Sequence, residues 1–116
     1  MIEITVKNFL ESKLSVPVLM EIPKSTPSSQ LVIIEKTGGT QENHIPSSIL
    51  TIQSYGASKY DAAVLNDMVK DWMLDGVEGL VTLDEVVSVN LNSDYDFTDT
   101  PSKKYRYQAV FDITHY

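Results

Sequence analysis

The densest run of ligand-type residues is Asp94-Tyr95-Asp96-Phe97-Thr98-Asp99, which resembles the opening of a calcium-binding loop. Such a loop needs glycine at its sixth position and glutamate at its twelfth. Counted from Asp94, those positions hold Asp99 and Tyr105, so the run reads as a series of Asx-type turns. The two imidazoles, His44 and His115, are far apart in the chain and form no His-x-x-x-His or His-Glu spacing, which argues against a metal centre or a general base. Ser54-Tyr55-Gly56-Ala57-Ser58 lacks the Gly-x-Ser-x-Gly order of a nucleophile elbow. Gly38-Gly39 is followed by no Lys-Ser/Thr and opens no helix, so it is no phosphate cradle. Cysteine is absent, which excludes a thiol nucleophile, a thiolate metal site and a disulfide framework. No catalytic constellation emerges, and the expectation is a protein that is not an enzyme and needs no cofactor. Tyr95, Tyr105, Tyr107 and Tyr116 crowd the last quarter of the chain; they suit a protein–protein surface, or ordinary cross-strand pairing.

Charge narrows the partners. The 116 residues carry 16 acidic and 9 basic side chains, a net charge of −7. Residues 1–60 balance, and residues 100–116 are slightly basic. Residues 61–99 hold ten acids against Lys70 alone. With Arg106 as the single arginine, tight phosphate binding is not expected. An acidic surface instead suits solvation, or a wall that nucleic acid passes without sticking. The longest apolar runs, such as Leu31-Val32-Ile33-Ile34, are far shorter than the roughly 20 residues of a membrane span. Met1-Ile2-Glu3-Ile4 has no basic segment of the kind that opens a signal peptide, so a cytosolic origin is expected.

The elements that must position these residues follow from periodicity. Ile2, Val6, Phe9, Leu10 and Leu14 recur at helical spacing, predicting a first helix over 2–14 that Pro17 ends. A short strand is expected at 18–22 and a Pro/Ser-rich loop at 23–29. Residues 31–36 are nearly continuous in apolar character and read as a central strand covered on both faces, broken by Gly38-Gly39. Residues 40–47 read as a polar loop or hairpin connection, and 49–55 alternate as a third strand. Ser58-Lys59-Tyr60-Asp61 has capping-box spacing, opening a second helix over about 59–74 whose buried stripe includes Ala62, Leu65, Met68, Val69, Trp72 and Met73. Residues 77–85 match neither period. A fourth strand is expected over 86–91, a long polar loop over 92–103 and a fifth strand over 105–116. The order is α-β-β-β-α-β-β: a single α+β domain spanning 1–116, with a mainly antiparallel sheet and two helices packed on one face.

Several segments in this order carry a resemblance. They are Val32-Ile33-Ile34-Glu35-Lys36-Thr37-Gly38-Gly39, Asn43-His44-Ile45, Ile52-Gln53-Ser54-Tyr55-Gly56-Ala57-Ser58-Lys59 with Ala62 and Ala63 in the helix that follows, Tyr95-Asp96-Phe97-Thr98-Asp99, and Arg106-Tyr107-Gln108. Together they resemble the tail terminator (tail completion) proteins of long-tailed bacteriophages, over nearly the whole chain. Where that family often carries a basic residue ahead of the Pro-rich loop, this chain has only Lys24.

The resemblance implies an α+β domain and a structural virion protein. It would assemble in the host cytoplasm as a homo-oligomeric ring, a hexamer, and sit in the virion at the head–tail interface. Its implied partners are the tail-tube protein and a head-completion or connector protein, with DNA only passing through the channel and no membrane contact. On that reading, loops 24–29 and 40–47 order against tube or neighbouring subunits, with Lys24, Ser25, Thr26, Gln41, Glu42, Asn43 and His44 as interface residues. Asp94, Asp96 and Asp99 are expected on an acidic channel face. Two alternatives stay open: a related head–tail connector or head-completion protein, and a small binding module unrelated to phage.

Overall fold

The computed structural model describes residues 1–21, 30–42, 45–96 and 105–116. Helix α1 (Ile2–Lys13) is followed by a two-residue strand β1 (Val18–Leu19), then by β2 (Leu31–Glu42), β3 (Ile45–Gly56), helix α2 (Lys59–Leu74), β4 (Val86–Asp96) and β5 (Tyr105–His115). The sheet order is β1-β2-β3-β5-β4. Only β1 runs parallel to its neighbour; the other pairs are antiparallel. Both helices pack on one face, so the expected α+β class and element order hold.

The core lies between that face and the helices. Val6 and Leu10 of α1 and Leu65, Val69 and Met73 of α2 meet Val32, Ile34, Leu50, Ile52, Ala109, Phe111 and Ile113 of the sheet. Strand side chains alternate between faces: Leu50 and Ile52 of β3 and Ala109, Phe111 and Ile113 of β5 fall on the helix side, while Ile49 and Val110 fall on the other. All four residues 31–34 are buried, but the helices cover only the Val32 and Ile34 side. Leu31 and Ile33 lie on the opposite face, in register with Tyr55 and Gln53, so β2 is not a central strand covered by helices on both faces. The Ser58 hydroxyl accepts from the Asp61 amide at 3.1 Å and caps α2. Gly56 makes the strand-to-helix corner possible: a Cβ there would lie 2.5 Å from the Ala62 nitrogen.

Four further sequence expectations are corrected. Gly38-Gly39 does not end β2. The ladder shifts register between Lys36 and Gly38 and continues to Glu42↔Ile45, so the glycines serve a bulge. A Cβ on Gly39 would sit 2.9 Å from the Ser47 carbonyl oxygen, an approach only glycine permits. Gln41 and Glu42 therefore lie in a strand rather than in a loop over 40–47. Likewise β4 runs to Asp96, with register shifts at Val86/Ser88 and Leu91/Ser93, so Asp94 and Asp96 are strand residues and not part of a loop over 92–103. On α2 the buried stripe is Ala62, Leu65, Asn66, Val69 and Met73. Met68 is exposed, and Trp72 is half-buried with the Lys13 ammonium 4.9 Å from its ring centroid. Residues 77–85, which match neither period, form turns and a short 3-10 segment, Leu80–Thr82. No helix among the described residues is long and apolar enough to cross a membrane.

Candidate interaction face

The sheet face turned away from the helices mixes polar side chains with Leu31, Ile33, Ile49 and Val110. Register brings Ile33, Gln53, Gln108 and Tyr95 into one row across β2, β3, β5 and β4, and sets Tyr55 beside Arg106 in the adjoining row. The side chains form a directional chain. The Arg106 guanidinium donates to the Tyr55 hydroxyl at 3.2 Å and lies 5.9 Å from that ring's centroid. Tyr55 donates to Gln53 Oε1 at 3.1 Å, Gln53 Nε2 donates to Gln108 Oε1 at 3.1 Å, and Gln108 Nε2 donates to the Tyr95 hydroxyl. Bonds aligned in one sense polarise each other and fix the rotamers. A surface ordered in advance loses less entropy when a partner settles on it. Beside this patch a cleft of about 280 Å³ is lined by Met20, Glu21, Ile33, Glu35, Gln53 and Arg106. The array can recognise amide, hydroxyl and aromatic groups; it holds no nucleophile–base pair.

The expected acidic residues sit elsewhere. Asp94 and Asp96 pair with Ala109 and Tyr107 of β5, on the helix side of the sheet. Asp94 accepts from Asn66 Nδ2 at 2.8 Å and from Lys70 Nζ at 2.5 Å, and Lys70 also reaches Asp67 at 3.2 Å. Asp96 lies 3.1 Å from Lys59 Nζ. The Asp94 hydrogen bond, helped by Asp67 and opposed by burial, holds the Lys70 ammonium above the usual lysine range. Hydrogen bonding and charge from Asp96, with the Tyr107 phenol adding to them, do the same for Lys59. These two carboxylates thus tie β4 to α2. Asp99, Lys24, Ser25, Thr26, Asn43 and His44 lie outside the described residues, and so does the expected contact loop over 24–29. Of the expected interface set, Gln41 and Glu42 are placed, opposite Pro46 and Ile45 at the end of the β2–β3 hairpin.

Sequence reasoning missed a buried Ser–His pair. Ser48 Oγ lies 2.7 Å from His115 Nε2, and His115 Nδ1 lies 3.1 Å from the Tyr116 carbonyl oxygen. The Tyr116 oxygen can only accept, so Nδ1 carries a proton, and the Ser48 hydroxyl and Nε2 share the second hydrogen bond. Ser48 is 1% exposed and His115 8%, so the hydroxyl cannot meet a substrate, and the pair satisfies two buried polar groups. His115 falls in the strand expected over 105–116, where every second side chain shares a face with Ala109, Phe111 and Ile113; nothing in the sequence pointed to Ser48. Among the described residues no cluster of three or more His, Asp or Glu could hold a metal ion. No protein-family model matches the chain, and no curated protein matches it in sequence.

Proposed function

We propose that this chain is a structural virion protein of the tail-terminator kind. It would assemble into a homo-oligomeric ring, a hexamer, that caps a phage tail tube and offers the joining surface to the head. The observation that carries the reading is a convergence. The Gln53-Ser54-Tyr55 run, Tyr95 and the Arg106-Tyr107-Gln108 run, which carry the resemblance to that family, are scattered over half the chain. Strand pairing gathers Gln53, Tyr55, Tyr95, Arg106 and Gln108 into one hydrogen-bonded patch on the uncovered face. A preorganised polar plate rich in tyrosine and arginine suits protein contact. Among the described residues no group gives enzyme chemistry comparable support.

The test pairs mass with capping. Light scattering on the purified chain should give about six times the 13.0 kDa chain mass. The ring should also stop elongation of tail-tube protein. Gln53→Ala/Gln108→Ala should keep the circular dichroism of the wild type and lose capping at least tenfold. A monomer that leaves tube growth unchanged at every concentration would overturn the reading.

A further inference from the structure

Among the described residues the sheet ends in two edges of opposite direction. On one side β1 pairs only Val32 and Ile33, so among the described residues 34–42 of β2 have no sheet partner outward. On the other side all eleven residues of β4 form the edge. Edge strands are usually guarded by lysine, proline, bulges, extreme shortness or a cover. β4 contains no lysine and no proline, residues 86–93 carry no charge, and Val87 and Leu91 are 42% and 40% exposed. Its two register shifts leave regular stretches at 88–91 and 93–96.

We infer that β4 of one molecule adds antiparallel to the open edge of β2 in a second copy, so that the sheet continues from molecule to molecule. Direction favours this. The pairs β2–β3, β3–β5 and β5–β4 are each antiparallel, so β2 and β4 point opposite ways. Copies related by a rotation about an axis along the strands keep those directions, and β4 then meets the neighbour's β2 antiparallel. Charge favours it over a two-fold β4–β4 contact. An antiparallel self-pair centred on Asn90 sets Asp96 of each copy against Asp84 of the other, acid on acid at both ends. The open stretch of β2 instead offers Glu35, Lys36 and Glu42, with Lys36 beside Glu35 and a net charge of −1 over 34–42. The contact is head-to-tail, and such contacts close into rings when the rotation allows. It deepens the ring reading above and rests on it only for closure.

The absence of cysteine makes the contact readable by cross-linking. Glu35 and, on β4, Ser88, Asn90 and Ser93 all lie on the face away from the helices. Glu35→Cys is combined in turn with Ser88→Cys, Asn90→Cys or Ser93→Cys, which covers the neighbouring registers. Within one molecule β3 and β5 separate the two sites by three strand spacings, about 14 Å, beyond the roughly 7 Å reach of a disulfide. Any bond is therefore between molecules. At least one double variant should oxidise to a ladder of covalent oligomers, about tenfold above an Asp71→Cys control on the exposed side of α2. A mixture of the two matching single variants should stop at the heterodimer. Dimers from Asn90→Cys alone at the same level, or no double variant above the control, would overturn the proposal. Light scattering separates the two claims: a closed ring without cross-links removes the edge contact and keeps the ring, and a ladder without a defined closed mass does the reverse.

Discussion

Ser54 and its neighbours on either side divide by face. Gln53 and Tyr55 point to the open face and join the hydrogen-bonded chain, whereas Ser54 is fully buried on the helix side and its hydroxyl finds no partner among the described residues. Removing an unsatisfied buried hydroxyl relieves a desolvation cost. Ser54→Ala should therefore be neutral or raise stability by up to about 1 kcal/mol, read as the urea midpoint; a loss larger than that would mean the hydroxyl is bonded. Lys70 gives a pH test. Its ammonium is held by Asp94, so its folded pKa lies above the unfolded value. A raised lysine contributes fully below the unfolded value and loses that contribution as pH rises through the folded one. Lys70→Met should cost about 1–2 kcal/mol at neutral pH. The gap to wild type should stay constant from about pH 7 to 9 and close above about pH 10.4. A gap that persists in strong alkali would assign the loss to packing of the lysine stem.

Among the elements, α2 was the most legible and the hairpin the least. A helix is fixed by signals within one or two turns: the Ser58 cap, the apolar period, and Asp75-Gly76 just past its end. Whether a Gly-Gly pair ends a strand or bulges it depends on the partner strand, which local sequence does not contain. The same limit hid the extension of β4 through Asn92, Ser93 and Asp94, polar residues that stay in the sheet because β5 pairs with them. Trp72 was legible as apolar and helical, but not as marginal. Its ring packs at the rim of the core under Lys13 instead of inside it. Trp72→Ala should cost about 1–3 kcal/mol, below the 3–5 typical of a fully buried ring. Thermal and urea unfolding that give the fully buried value would place the ring deeper than it lies here.

At the scale of the whole molecule, the open-face patch could not be assembled from sequence alone, because Gln53, Tyr95 and Gln108 meet only through the register of three strands. Net charge, by contrast, was complete in the sequence, and it constrains any assembly of copies. Each copy carries −7, with the acidic excess in residues 61–99. Part of that excess is neutralised where Lys70 and Lys59 meet Asp94 and Asp96, while Asp67, Asp71 and Glu78 remain exposed. Bringing such copies together costs Coulomb energy that salt screens, since the Debye length falls from about 30 Å at 0.01 M to about 10 Å at 0.1 M. A contact made mainly of backbone hydrogen bonds along strand edges loses little to the same salt. Self-association should therefore strengthen as sodium chloride rises from about 0.01 to 0.15 M, seen in sedimentation velocity as a shift towards the assembled species at fixed protein concentration. An assembly held by ion pairs between copies would move the opposite way, and that result would replace the strand edges with a charged interface.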